Sequence, residues 1–119
     1  MATGRMRRVD EAIRQVVGDA VAADLKDPRV GFVTVTDVRT SPDLRHARVY
    51  VSVLGADGGP SEEQERTDTL DGLRSAHGFL QSRLAGELRM KRTPALEFFY
   101  DDTTDRALRL EQLIQERES

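Results

Sequence analysis

A chain of 119 residues with 38% hydrophobic residues and a net charge of −3 is large enough for one domain with a modest core. It contains no cysteine, which excludes disulfides, thiolate metal sites and cysteine nucleophiles. No stretch is long and apolar enough for a secretory signal or a membrane span. We therefore expect a cytoplasmic protein with a single domain over residues 1–119, frayed at 1–5 and 116–119.

The first half of the chain predicts a helix followed by two strands. Apolar residues recur at intervals of three and four over residues 6–25, as in an amphipathic helix. Residues 33–38 then alternate valine with threonine but change phase near Asp37, which predicts a bulge. The next strand, residues 47–53, alternates cleanly. A turn containing Pro42 joins the two strands, so we expect an antiparallel hairpin with one buried face.

The second half predicts helices around one further strand. Residues 55–61 form a flexible loop in this interpretation, because glycine dominates there. A leucine stripe then predicts a helical region that Pro94 ends, before a strand at 95–100 and a final helix. The order α-β-β-α-α-β-α indicates a two-layer α+β domain with its helices on one face of the sheet. Since the third strand follows a helical crossover, we expect it to lie parallel to the first.

Gly78 lies within the leucine stripe, where a glycine costs about 1 kcal/mol relative to alanine. One explanation is close packing within a single continuous helix. The other is a bend between two shorter helices at residues 75–78. The second helix would then begin with free backbone N–H groups, which suit a phosphate together with the helix dipole. The residue pattern leaves both explanations open.

Positive charge is concentrated in two stretches of this acidic chain, one at its start and one after Gly78. Phosphate binding requires clustered cations, and separated charge allows a basic face on an acidic protein. The cations that are candidates for phosphate contact are Arg7, Arg8, Arg83, Arg89, Lys91 and Arg92. On the polar face of the hairpin, Arg48 and Tyr50 either contact the same phosphate-bearing ligand or are ordinary solvated strand residues.

The sequence gives little support for catalysis. Asp101 and Asp102 could form an acid–base pair, but the hydroxyl and acidic residues around them favour a helix start. We interpret His46 as an exposed strand residue and His77 as a partly buried helix residue, rather than as metal ligands. Motifs for a serine nucleophile, a Walker loop or a dinucleotide site are missing. We therefore expect no enzymatic activity, no metal and no cofactor.

Two long blocks carry a resemblance to a known family. The blocks "DPRVGFVTVTDVRTSPDLRHARVYVSVLG" and "AHGFLQSRLAGELRMKRTPALEFFYDDTTDRALRLEQLI" resemble ribosome-binding factor A, the bacterial small-subunit assembly factor, and the similarity spans residues 6–114. The resemblance implies a type II KH-like fold in which an Ala-x-Gly kink replaces the GxxG loop. Ala76, His77 and Gly78 match that kink, which favours the bend. The implied sheet has three strands, with the first between the other two.

The resemblance also implies a function. A member of this family would bind the immature 30S subunit on 16S rRNA and assist late maturation, rRNA processing and growth in the cold, with release involving an assembly GTPase. We expect it to act as a monomer. The implied RNA contacts are Ser75, Ala76 and Gly78 at the kink, with charge from Arg7, Arg8, Arg83, Arg89, Lys91 and Arg92. The alternative is a protein-interaction module that docks its acidic surface on a ribosomal protein or GTPase. A small hydrolase using Asp101, Asp102 and a histidine is a third hypothesis.

Overall fold

The computed structural model describes residues 4–25, 27, 29–30, 33–53 and 62–101. Its elements are α1 (Gly4–Ala23), β1 (Val33–Thr40), β2 (His46–Val53), α2 (Glu62–Ser75), α3 (His77–Leu88) and β3 (Ala95–Tyr100). The predicted loop at 55–61 and the predicted final helix lie outside the described residues. The described part is an α+β fold with three helices and one three-stranded mixed sheet, as predicted. None of its helices has the length and hydropathy needed to cross a membrane.

The central strand of the sheet is β2, and the order is β1-β2-β3. β2 pairs antiparallel with β1 and parallel with β3. Two predictions are therefore wrong: the first strand is not central, and the third strand lies parallel to the second rather than to the first. The hairpin gives β2 one neighbour, and the crossover through α2 and α3 returns the chain to its other edge in the same direction. The burial of β2 agrees with this position, since Ala47, Val49 and Val51 are 0% exposed.

One hydrophobic core lies between the helices and one face of the sheet. The leucine stripe places Leu73, Leu80 and Leu84 in this core without exposed surface. The strands contribute alternate residues, of which Phe98 on β3 is the largest. Burial of such side chains is the main source of stability in a domain of this size. The opposite face of the sheet is polar or exposed, so the described helices all cover one face.

The predicted bulge in β1 is confirmed, because its register with β2 shifts between Val35 and Asp37. The extra residue is Thr36, whose hydroxyl Oγ1 donates a hydrogen bond of 2.6 Å to Oδ2 of Asp101. Asp101 is only 8% exposed, and its backbone N–H donates to the carbonyl of Val51 at 2.7 Å. The bulge therefore fastens β1 to the residue that follows β3. This contact gives Asp101 a structural role.

Thr36→Val should lower the free energy of unfolding by about 1–3 kcal/mol, because it removes a donor from a buried carboxylate. The measurement is urea denaturation followed by circular dichroism. Thr34→Val is the matched control, since Thr34 is an exposed residue of the same strand and should change stability by less than about 0.5 kcal/mol. Equal midpoints for the two variants would contradict the role of the hydroxyl.

A short turn before β1 packs against α2. The backbone N–H of Arg29 and its guanidinium donate to the Asp27 carboxylate at 2.9 Å and 2.7 Å, and the N–H of Val30 donates to the Asp27 carbonyl at 3.0 Å. A Cβ on Gly72 of α2 would lie 2.6 Å from Cγ2 of Val30. Glycine at position 72 therefore allows the turn to approach the helix closely.

The hydrogen bonds from Arg29 hold the pKa of Asp27 at about 2, below its ordinary value of 3.8. Because the pKa is lower in the folded chain, the contact stabilises the fold above about pH 4, and this contribution is lost as the pH falls towards 2. We expect Arg29→Ala to return the pKa of Asp27 towards 3.8 and to weaken the pH dependence of stability in that window. Carboxyl-carbon NMR titration measures this directly. A pKa for Asp27 that the substitution leaves unchanged would contradict the assignment to Arg29.

Candidate nucleic-acid interface

The helical region is interrupted at Ala76, between α2 and α3. Ala76 has φ −87° and ψ 8°, and its N–H is shared between the carbonyls of Gly72 and Leu73, each at 3.1 Å. The first regular hydrogen bond of α3 runs from the N–H of Leu80 to the carbonyl of Ala76 at 3.0 Å. The two helices are therefore separate, as predicted, and a single continuous helix is excluded. The angle of the predicted bend stays a prediction.

The start of α3 has the features of an anion-binding helix end. The amides of His77, Gly78 and Phe79 precede the first regular hydrogen bond, and no side chain caps them at Ala76. Such amides carry the partial positive charge of the helix dipole. Ser75 and Gly78 are exposed, whereas Ala76 is half-buried against the core. At the break, Ala76 therefore packs against the core, while Ser75 and Gly78 face outward.

Gly78 is not required by the fold of the described residues. A Cβ at this position would meet no atom within 4 Å, and its φ lies outside the left-handed region. The close-packing explanation is therefore wrong. Because Gly78 is exposed and has no Cβ, its backbone is open to the outside of the domain.

A strip of small residues extends from Gly78 along the exposed side of α3, and the sequence reasoning missed it. Ser82 and Gly86 follow Gly78 at intervals of four, and all three are exposed. They lie on the side opposite the buried Leu80 and Leu84. The signal was present in the sequence as a second set of four-residue intervals, out of phase with the leucines.

The two histidines have the places predicted for them. His77 is half-buried, and its Nε2 accepts a hydrogen bond from the N–H of Leu96 at 3.3 Å, which ties the start of α3 to β3. His46 is exposed, with Nδ1 3.6 Å from Oε1 of Glu97. Within the described part of the chain, no three His, Cys, Asp or Glu side chains are placed to hold a metal ion.

Arg83 already has intramolecular partners. Its guanidinium forms an ion pair with Asp24, which follows α1, and lies 3.9 Å from Glu87 one turn further along α3. It also lies 5.8 Å from the ring centroid of Phe79. These contacts connect α3 to the end of α1, so Arg83 has less freedom to meet a phosphate than the other predicted cations.

The connection from α3 to β3 carries exposed positive charge. Arg89, Lys91 and Arg92 are exposed, and no ion pair joins them to another residue among those described. Arg89 caps α3 in the left-handed conformation, with φ 50° and ψ 39°, where glycine is usual and another residue costs about 1 kcal/mol. At 1.5 Å per residue, α3 separates Arg89 from Gly78 by about 16 Å. The break and these cations therefore mark the two ends of one helix.

Arg7 and Arg8, at the start of α1, are exposed but belong to a different helix from the break and the cations after α3. Arg7 lines a groove between α1 and β1, together with Asp10, Glu11 and Arg39. Carboxylates and guanidinium groups alternate in this groove, so its charge is mixed. Within the described residues, no hydrogen bond or ion pair joins Arg7 or Arg8 to α3.

Comparison with known proteins identifies the family of this chain. Residues 5–114 match the family model described as ribosome-binding factor A. The chain is 46% identical over 112 residues to ribosome-binding factor A of Halorhodospira halophila, which covers 94% of this chain and 85% of the relative. The chain belongs to the ribosome-binding factor A family.

Solved structures of ribosome-binding factor A share the fold. The crystal structure of the Thermus thermophilus protein aligns with a TM-score of 0.67 and 28% identity, over 80% of this chain and 93% of that one. A homology model of the Thermus thermophilus factor, fitted into a cryo-EM map of its complex with 30S, aligns with a TM-score of 0.58 and 31% identity, over 76% and 88%. The described fold, with three helices on a mixed sheet, is therefore the fold of ribosome-binding factor A structures.

Proposed function

We propose that this protein is a non-enzymatic, cytoplasmic assembly factor that binds the immature 30S subunit through 16S rRNA. In this role it assists late maturation of the subunit, including rRNA processing, and supports growth in the cold. Its single domain is KH-like, and the break at Ala76 takes the place of a phosphate-binding loop. The observation that carries the proposal is the combination of an uncapped start of α3 with an unshielded Gly78.

The exposed side of α3 suits an RNA backbone along its whole length. Amides at its start can donate to one phosphate. The small side chain of Ser82 and the absence of a Cβ at Gly86 let an RNA backbone approach the helix closely. At the far end, Arg89, Lys91 and Arg92 can contact further phosphates. The membership of the family and the 30S complex of a relative support this assignment.

The other predicted contacts have smaller roles in this proposal. Ser75 and Ala76 shape the break, and Arg7 and Arg8 extend the footprint from α1. Arg83 contributes less, because it is paired with Asp24. A net charge of −3 disfavours tight binding to naked RNA, so docking on an RNA–protein particle by a monomer, with release by an assembly GTPase, fits the chain better.

The main alternative is docking on a basic ribosomal protein or a GTPase through the acidic surface of α2. Glu63, Glu65 and Asp71 are exposed on that helix, which is the observation in its favour. This alternative predicts that an RNA-free partner protein captures the chain, and that substitutions on α3 have little effect.

Gly78→Ala should change stability and binding in opposite directions. Alanine should raise the free energy of unfolding by up to about 1 kcal/mol, because it favours the helix and meets no atom. The added methyl group should lower affinity for immature 30S subunits about fivefold or more, because it obstructs the backbone. Gly78→Glu should abolish binding by adding negative charge as well. Denaturation and co-sedimentation measure the two effects.

Thr67→Glu is the matched control for added charge, because Thr67 is exposed on α2 and away from the break. We expect this variant to sediment with the subunits as the wild-type protein does. If Gly78→Glu also sediments normally, the start of α3 is not in the interface and the proposal fails.

A further inference from the structure

The face of the sheet that the described helices leave uncovered has its own chemistry. Register places Asp37, Tyr50 and Phe99 in one row across the three strands, and Arg39, Arg48 and Glu97 in the next row. Successive rows on one face are about 7 Å apart along the strands. Aromatic and cationic side chains are thus adjacent on a flat surface.

Two aromatic rings form the apolar part of this face. Tyr50 and Phe99 lie with their ring centroids 5.8 Å apart and their planes inclined by 32°. Phe99 is 39% exposed, while the neighbouring Phe98 points into the core and is 1% exposed. A core-facing role accounts for Phe98 but not for Phe99. Tyr50 is half-buried, so Phe99 is the more exposed ring of the pair. Aromatic rings on the open face of a sheet hold unstacked nucleobases in other RNA-binding folds.

A groove beside the rings carries the charge. It has a volume of about 440 Å³ and is lined by the turn at Ser41 and Pro42 together with Arg39, Arg48 and Glu97. The guanidinium of Arg39 lies 3.3 Å from Asp37 and is 67% exposed. Arg48 is exposed and has no ion pair with any other described residue. The ion pair with Asp37 offsets the charge of Arg39, so Arg48 is the cation of this groove that remains available to contact an anionic ligand.

We propose that this face is a second RNA-binding surface for unpaired nucleotides. Tyr50 and Phe99 stack on bases, and Arg48 and Arg39 contact the adjoining phosphates. The inference rests on the proposed function, since it assumes an RNA-containing partner. It extends that function, because the sheet face lies on the opposite side of the domain from the helical layer. A protein with both surfaces can hold two RNA segments at once.

The test compares variants of the full chain with two probes, a fluorescent unstructured 12-nucleotide RNA and immature 30S subunits. Phe99→Leu keeps an apolar side chain but removes the ring, and should lower RNA affinity about fivefold to 100-fold. Phe99→Tyr keeps the ring and should bind as the wild type does. Arg48→Gln should reduce the slope of log affinity against log salt by about 0.7, the value of one lost phosphate contact on a single strand. Circular dichroism checks that each variant is folded.

Three results would overturn the inference. If Phe99→Leu binds the RNA as tightly as Phe99→Tyr, the rings do not stack on bases. A loss of affinity for 30S with no loss for RNA assigns the face to a ribosomal protein. A change in sedimentation mass without RNA assigns it to a second copy of the chain. Gly78→Ala is measured in parallel with immature 30S subunits, so that this inference can be separated from the proposed function. Normal RNA binding by Phe99→Leu contradicts the inference alone, whereas normal binding by the α3 variants contradicts the proposed function.

Discussion

Replacing Arg89, Lys91 and Arg92 together with glutamate should abolish co-sedimentation with immature 30S subunits, with a loss in affinity of at least about 100-fold. The substitution removes three phosphate contacts and places three carboxylates near the same backbone. The fold should survive, because the three side chains are exposed and form no ion pair within the described residues. The salt dependence of the residual binding should also fall.

A charge-restored variant separates local contact from overall repulsion. Lysine at positions 63, 65 and 71 reverses three exposed carboxylates on α2 and, in the glutamate variant, returns the net charge to −3. If contacts at 89–92 are responsible, this variant still fails to sediment with the subunits. Recovery of binding would show that overall charge matters instead. Lysine at these α2 positions alone should leave binding intact, and loss of binding there would favour docking through α2.

Gly72→Ala should lower the free energy of unfolding by about 1–3 kcal/mol, although alanine favours a helix more than glycine does. The added Cβ would lie 2.6 Å from Val30 Cγ2, 3.4 Å from Arg29 Cβ and 3.5 Å from Asp27 Cγ, so the turn before β1 would have to move away from α2. Gly86→Ala is the matched control on α3. A Cβ there meets no atom within 4 Å, so this variant should be up to about 1 kcal/mol more stable than the wild type.

A second substitution tests the cause. Val30→Ala removes the methyl group that meets the new Cβ, so it should restore part of the stability that Gly72→Ala loses, and the double mutant should be more stable than the sum of the two single changes predicts. Urea denaturation of the four proteins gives this coupling. Additive effects would show that Val30 and Gly72 do not meet as described.

Periodicity of apolar residues predicted the helices and strands well where each residue is clearly either buried in the core or exposed to solvent. The alternation in β2 and the leucine stripe of α2 and α3 match the observed burial, and the phase change near Asp37 marks the bulge. Strand order could not be read in the same way. A period of two identifies the buried face of a strand, but it does not say which strands are neighbours, so the central place of β2 emerged only from the pairing.

Site residues were harder to predict than helices and strands, because spacing along the sequence does not show which side chains meet in space. The sequence marked Gly78 and the cations that follow it, but the helix between them puts about 16 Å between Gly78 and Arg89. It could not show that Arg83 meets Asp24, a contact across 59 positions of the chain. The need for glycine at position 72 was equally hidden, because it depends on a turn distant in sequence.

The central claim is that the exposed side of α3 lies against rRNA in the immature 30S subunit. Crosslinking the wild-type protein to these particles, with both the protein and the RNA sites mapped, tests it most directly. The account predicts RNA crosslinks within residues 75–92, on the start of α3 and on the cations after its end. Crosslinks from that segment to protein alone, or RNA crosslinks that leave it out, would contradict the account.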